Sequence, residues 1–134
     1  MSLQGKTPTF TGYKLQDRYT FQGMDLSIEN KKGSIREWKD RNGQSGETKM
    51  LFDYGYIRNT LGNDDDHQDC YVGDNSNSEY IYVVHQLNQD GDFDEDKCFL
   101  GFNSREEAKA AYVAHIPEDR FGGIIELSIA DFIK

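Results

Sequence analysis

Asp53-Tyr54-Gly55-Tyr56-Ile57-Arg58-Asn59-Thr60-Leu61 is followed, after Gly62-Asn63, by Asp64-Asp65-Asp66-His67-Gln68-Asp69-Cys70-Tyr71-Val72. An aromatic strand here runs into a cluster of carboxylates. Met50 to Ile57 is apolar and aromatic and reads as a strand, with Gly55 inside it. Tyr54 and Tyr56 lie two apart, so both point to one face. Asn63 to Asp66 breaks the strand, and Cys70 to Val72 resumes it. In extended backbone Asp64 and Asp66 share a face, Asp65 turns away from them, and Asp69 returns after the Asp66-His67-Gln68 turn.

Upstream, residues 1–20 are polar, with Gly5, Pro8 and Gly12, and read as an extended leader or linker. The folded domain is expected over 21–134. Met24, Leu26 and Ile28 alternate as a half-buried strand does. Asn30 to Gly33 marks a turn, Ile35 with Trp38 suggests a second strand, and polar Lys39 to Thr48 reads as a loop. Downstream, Tyr80 to Leu87 is the clearest buried strand, rich in Tyr, Ile and Val. Asp90-Gly91 is a turn signal, and Lys97 to Phe102 is its expected antiparallel partner. Ser104 to Glu107 forms a capping box, in which Ser and Glu satisfy orphan N–H groups at a helix start. Ala108, Ala111, Tyr112 and His115 follow at helical spacing, with Pro117 just beyond. Gly122-Gly123 precedes a short strand from Ile124 to Leu127, and Ser128 to Asp131 caps a terminal helix. The expected fold is α+β: a mainly antiparallel sheet or barrel with two helices near the C-terminus.

A chain of 134 residues is one domain long. No stretch approaches the roughly 18 apolar residues of a membrane span, and no signal-peptide pattern opens the chain. Cys70 and Cys98 are too few for a disulfide scaffold and read as buried, reduced thiols, which suits a cytoplasmic protein. A net charge of −9 argues against nucleic acid and anionic membranes as partners. It leaves room for a phosphate-containing substrate, since carboxylates hold divalent cations and those cations hold phosphate. His85 and His115, in apolar settings, read as structural.

Asp64, Asp65, Asp66, Asp69 and Asp74 form one acidic cluster; Asp90, Asp92, Asp94, Glu95 and Asp96 form another. Charges this dense repel unless they splay into water or share a cation. Hard oxygen donors suit Mg²⁺, Mn²⁺ or Ca²⁺ and suit zinc poorly. Two solvated acidic loops are the plainer alternative. Asp90, Asp92 and Asp94 have the one-three-five spacing of a calcium loop, but Glu95 stands where that loop needs glycine.

The stretch from Asp53 to Leu61, joined to Asp64-x-Asp66-x-x-Asp69, resembles the signature region of the family I inorganic pyrophosphatases. That family carries Tyr-Gly-Tyr-Ile and, after a short gap, Asp-x-Asp-x-x-Asp. Asp90 and Glu95 stand seven and two residues before Lys97, the offsets at which the family places metal-binding aspartates before a phosphate-contacting lysine. Ile28-Glu29 resembles the family's strand glutamate, and on the same resemblance Arg36 would supply a further phosphate contact. The chain is similar above all to the shortened pyrophosphatase-like domains of phage and mobile-element proteins. Those share His in place of proline, as at His67, and a strand like Lys97-Cys98-Phe99-Leu100-Gly101-Phe102.

The resemblance implies an OB-like, pyrophosphatase-fold domain and a Mg²⁺-dependent phosphoanhydride hydrolase, with Mn²⁺ as an alternative ion. On it, Asp64, Asp69, Asp90 and Glu95 hold metal, and Asp66 takes the proton of the attacking water. Lys97, Arg36 and the Tyr54 hydroxyl contact phosphate oxygens, and Glu29 completes the substrate site. It also implies a parent that is a larger, multidomain phage polypeptide, and homo-oligomers as an option. The family's Tyr-Lys pair before the last helix has no counterpart here. A metal- or phosphate-binding module without turnover is therefore the second reading, and an acidic phage protein mimicking nucleic-acid charge the third.

Overall fold

The structure, a computed structural model, describes residues 15–39, 42–58 and 68–132. Asp64, Asp66 and His67 lie outside the described residues. Seven strands form one sheet: β1 (Asp17–Phe21), β2 (Met24–Asn30), β5 (Asp53–Ile57), β6 (Gln68–Val72), β7 (Tyr80–Leu87), β8 (Phe93–Leu100) and β9 (Phe121–Ser128). Their spatial order is β1-β2-β5-β6-β8-β7-β9, so the sheet is open and does not close into a barrel. Strands β3 (Ile35–Lys39) and β4 (Ser45–Lys49) form a separate two-stranded hairpin. Of the stretch from Lys39 to Thr48, expected to be a loop, Lys39 therefore ends β3 and residues 45–48 belong to β4. Its polar composition reflects exposure on both faces.

β1 begins at Asp17 and pairs antiparallel with β2, from Asp17 opposite Ile28 to Phe21 opposite Met24. The last residues of the stretch read as a leader are thus hydrogen-bonded into the sheet. The turn between the two strands puts Gln22 and Gly23 at positive φ, a conformation that suits glycine. β5 is packed against β2 at Gly55, where any Cβ would collide with the carbonyl of Ser27.

Most pairings are antiparallel, including Tyr80–Leu87 with the β8 strand that follows it. One is not. β8 inserts between β7 and β6 and runs parallel to β6, with Asp69 beside Lys97 and Cys70 beside Cys98. Nothing in the local pattern of either strand announces this pairing.

Alternation along the strands divides the core. On one face Met24, Leu26, Ile28, Ile57, Cys70, Ile81, Val83, Cys98 and Leu100 pack with Ile129 of the terminal helix α2 (Ile129–Phe132). On the other, Tyr54, Tyr71, Tyr82, Val84, Phe99 and Phe102 pack under helix α1 (Arg105–His115). α1 presents Ala108, Ala111 and Tyr112 to the sheet; the two alanines let it approach closely. The Ser104 side chain accepts from the Glu107 N–H as expected, but the Glu107 carboxylate reaches past the cap to the Asn103 N–H (3.1 Å). The Ser128 hydroxyl caps α2 by accepting from the Asp131 N–H (3.1 Å). β9 takes in Gly122 and Gly123 rather than starting after them. No helix among the described residues is long and apolar enough to cross a membrane.

Candidate active site

The face of the sheet under α1 continues beyond the helix into a charged cluster. Odd-numbered residues of β6 and β8 point to this face, so Asp69 and Tyr71 line up with Glu95, Lys97 and Phe99. Even-numbered Tyr54 joins them from β5. Parallel pairing brings Asp69 and Lys97 side by side, and the Lys97 ammonium donates to Asp69 Oδ2 at 3.1 Å. It also donates to the Tyr54 hydroxyl at 3.1 Å and lies 3.4 Å from Glu95 Oε2. Tyr54 donates its own proton to Asp69 Oδ2 at 3.1 Å.

Lys97 is 6% exposed, and a buried ammonium is tolerable only when paired. Burial alone would lower its pKa; Tyr54, Asp69 and Glu95 outweigh that and hold it well above the ordinary lysine range. For Asp69, burial pushes upward, but Lys97 and the hydrogen bonds from Tyr54 and Glu95 leave it below the usual carboxylate range. Glu95 goes the other way: burial, with Asp69 and Asp94 nearby, raises it despite Lys97. The Tyr54 hydroxyl is raised by burial and by Asp69, so it stays a proton donor.

The hairpin supplies the second cation. The Arg36 guanidinium lies over the Tyr54 ring, 4.6 Å from its centroid. Its Nη1 donates to Asn30 Oδ1 (2.9 Å) and lies 3.9 Å from Glu29 Oε1. Asn30, directly opposite Tyr54 across a bulge in β2, therefore fixes where Arg36 reaches. A cleft of about 280 Å³ opens beside Arg36, lined by Asn30, Ile35, Glu37 and Glu47.

Six of the residues singled out in the sequence thus meet in one place: Glu29, Arg36, Tyr54, Asp69, Glu95 and Lys97. Asp90 sits apart, exposed in the turn between β7 and β8, where Asn88 Oδ1 accepts from its N–H (2.9 Å). Among the described residues no hydrogen bond or ion pair joins Asp90 to the cluster; splaying into water relieves the repulsion of its acidic neighbours. Asp64 and Asp66 fall on the β5–β6 connection, outside the described residues.

Two participants were not singled out. Asn30 orients Arg36, and Tyr71 stacks on Phe99 (4.9 Å, 10°) and leans on Tyr54 (4.6 Å), walling the cluster from below. Tyr71 was findable, since it stands two residues after Asp69 on the same strand face; Asn30 had no signal beyond its turn chemistry. His85 pairs with Asp96 across β7 and β8 on the opposite face.

The donor chemistry can be tested for a divalent cation. Glu29, Asp69 and Glu95 bring three carboxylates against the two cations Arg36 and Lys97. A phosphate anion entering here would face these carboxyl groups as well as Arg36 and Lys97, and a hard cation on the Asp69–Glu95 side would offset them. The oxygens fit such an ion in type, although no group of three metal-ligating side chains converges among the described residues.

A family model described as inorganic pyrophosphatase matches residues 6–134. The chain belongs to the inorganic pyrophosphatase family. No curated protein and no solved structure matches it.

Proposed function

We propose that this family member is a Mg²⁺-dependent phosphoanhydride hydrolase acting on inorganic pyrophosphate, built on the family's OB-like fold. The observation that carries the reading is the buried Lys97 ammonium, held between Asp69, Tyr54 and Glu95 with Arg36 over the Tyr54 ring. Asp69 and Glu95, with Asp64 from the β5–β6 connection, would hold Mg²⁺, with Mn²⁺ as the alternative. Bound there, the ion supplies charge neutralisation and a lowered pKa for water.

The protein's own groups do the rest. Lys97 and Arg36 neutralise phosphate oxygens, where transition-state charge is spread, and the Tyr54 hydroxyl donates to one of them. Glu29 and Asn30 hold Arg36 in place. Asp66 takes the proton of the attacking water as general base. In this reading the protein works in the cytoplasm, and its likeness to the shortened phage domains extends to origin.

One observation favours the second reading, a binding module without turnover. Both Lys97 and Tyr54 already engage the same Asp69 oxygen. Phosphate release from pyrophosphate in the presence of Mg²⁺ separates the two. Wild type is expected to release phosphate, and Asp66→Asn to be slower by about 10²–10⁴-fold while Mg²⁺ still raises its melting temperature. Full activity in Asp66→Asn removes the base assignment. No release from wild type, with Mg²⁺ still stabilising it, leaves the binding module.

A further inference from the structure

The hairpin carries one feature that phosphate chemistry does not use. Trp38 is the single tryptophan of the chain and is 45% exposed. It follows Arg36 by two residues on β3, so the two side chains share a face with Cα atoms roughly 7 Å apart.

Two contacts fix the indole on that face. Trp38 stands directly opposite Gly46, and a Cβ at Gly46 would come within 3.0 Å of three ring atoms, so the indole lies over bare backbone. Its Nε1 donates to Thr48 Oγ1 at 3.2 Å. Thr48 is in turn the residue directly opposite Arg36. The ring is thus covered on one side by Gly46, pinned at its edge to Thr48, and nearly half exposed.

An indole laid over a cross-strand glycine is held in place by covering that bare backbone. This one sits on a glycine and leaves much of its area wet. A flat, pre-positioned aromatic surface adjoining an arginine suits a planar ring attached to phosphate, since bases stack on aromatic side chains whatever their identity. On the opposite side, the cleft beside Arg36 is lined by Glu37 and Glu47, which disfavours further phosphate there. An elongated substrate would therefore keep its anionic end at Arg36 and Lys97 and lay its uncharged end on Trp38.

We propose that Trp38 is a substrate-specificity residue, a stacking platform for the base of a nucleoside polyphosphate whose phosphates occupy the Arg36–Lys97 site. This rests on the phosphoanhydride reading of that site and names a substrate class for it.

Because Trp38 is the only tryptophan, its fluorescence reports this surface alone. The test titrates the whole chain, with Mg²⁺, using ATP and inorganic tripolyphosphate, which carries the same phosphates without a base. ATP is expected to quench Trp38, and tripolyphosphate to leave it unchanged. Trp38→Ala should weaken ATP by about tenfold or more with tripolyphosphate and pyrophosphate unaffected, and Trp38→Phe should recover part of the loss. Equal quenching by both ligands, no quenching by ATP, or equal weakening of both in Trp38→Ala overturns the platform. Pyrophosphate hydrolysis measured alongside keeps the two ideas apart. Base-selective quenching without any hydrolysis sinks the catalytic reading and leaves the platform standing. Hydrolysis of pyrophosphate without base-selective quenching does the reverse.

Discussion

The two halves of the candidate site hold their cations in opposite ways. Lys97 is sunk in the sheet, nearly without exposure, and held at three points by Tyr54, Asp69 and Glu95. Arg36 rides on a two-stranded hairpin whose strand residues are all exposed or half-buried, and it meets the sheet through Tyr54, Asn30 and Glu29. The first arrangement belongs to folding as much as to function, because an ammonium removed from water must have its partners in the native state. The second is affordable to lose, since a two-stranded ribbon adds little stability of its own. Mutations in the two halves should therefore separate, with stability and activity falling together in the sheet and activity falling alone on the hairpin.

The largest effect is expected from Asp69→Ala. It leaves Lys97 buried with only Glu95 and Tyr54, a loss of roughly 3 kcal/mol, or on the order of 10 °C in melting temperature for a chain of this size. Mg²⁺ should no longer raise the midpoint, and phosphate release should vanish. A wild-type melting curve for this variant would show that the sheet half is not the coupled unit described above.

Arg36→Lys should behave differently. Lysine keeps the charge but loses the planar group that lies over Tyr54 and reaches Asn30 and Glu29 through Nη1. Substrate affinity is expected to fall by about tenfold, with stability changed by under about 1 kcal/mol. Calorimetric binding of pyrophosphate beside a thermal melt checks both parts. A melt lowered as far as that of Asp69→Ala would erase the contrast between the halves.

How much of this the sequence disclosed follows the range of the forces involved. Tyr80–Leu87 emerged with its limits correct, because burial on both faces from Ile81 to Val84 writes itself as a run of Tyr, Ile and Val. The two helices were visible through Ser104 and Ser128, whose caps are local chemistry. The hairpin was half missed: Ile35 and Trp38 suggested β3, but β4 is Ser-Gly-Glu-Thr-Lys, which has no buried face to alternate against. The parallel pairing of β6 with β8 was invisible, because a register between strands some thirty residues apart leaves no mark on either. Six site residues were nonetheless named through resemblance to a family, which carries long-range information that periodicity does not. Asp90, named by offset alone, is the one described candidate that the structure leaves outside the cluster.

The smallest predicted effect concerns where the hairpin's return limb is fastened. Just past β4, the Leu51 N–H donates to His115 Nε2 at 2.9 Å, and His115 Nδ1 faces the Ala111 carbonyl at 2.7 Å. Both contacts are satisfied only by a neutral ring with its proton on Nδ1. Burial lowers the His115 pKa below its ordinary 6.5, against the opposing pull of the Ala111 carbonyl. Phe52 and Tyr71 flank the ring, and Tyr71, itself raised by burial, stays uncharged through the acid range. A depressed histidine means that the unfolded chain takes up the proton first. The contribution is therefore complete above about pH 6.5 and is lost as pH falls through the lower folded value. Its size is that of one hydrogen bond, about 1 kcal/mol. His115→Gln keeps an acceptor for Leu51 without a titrating group, so the difference between its melting temperature and that of wild type should vary with pH only in this window. A difference that stays constant from neutral pH to acid would mean that His115 does not fasten the hairpin's return limb to α1 through a neutral ring.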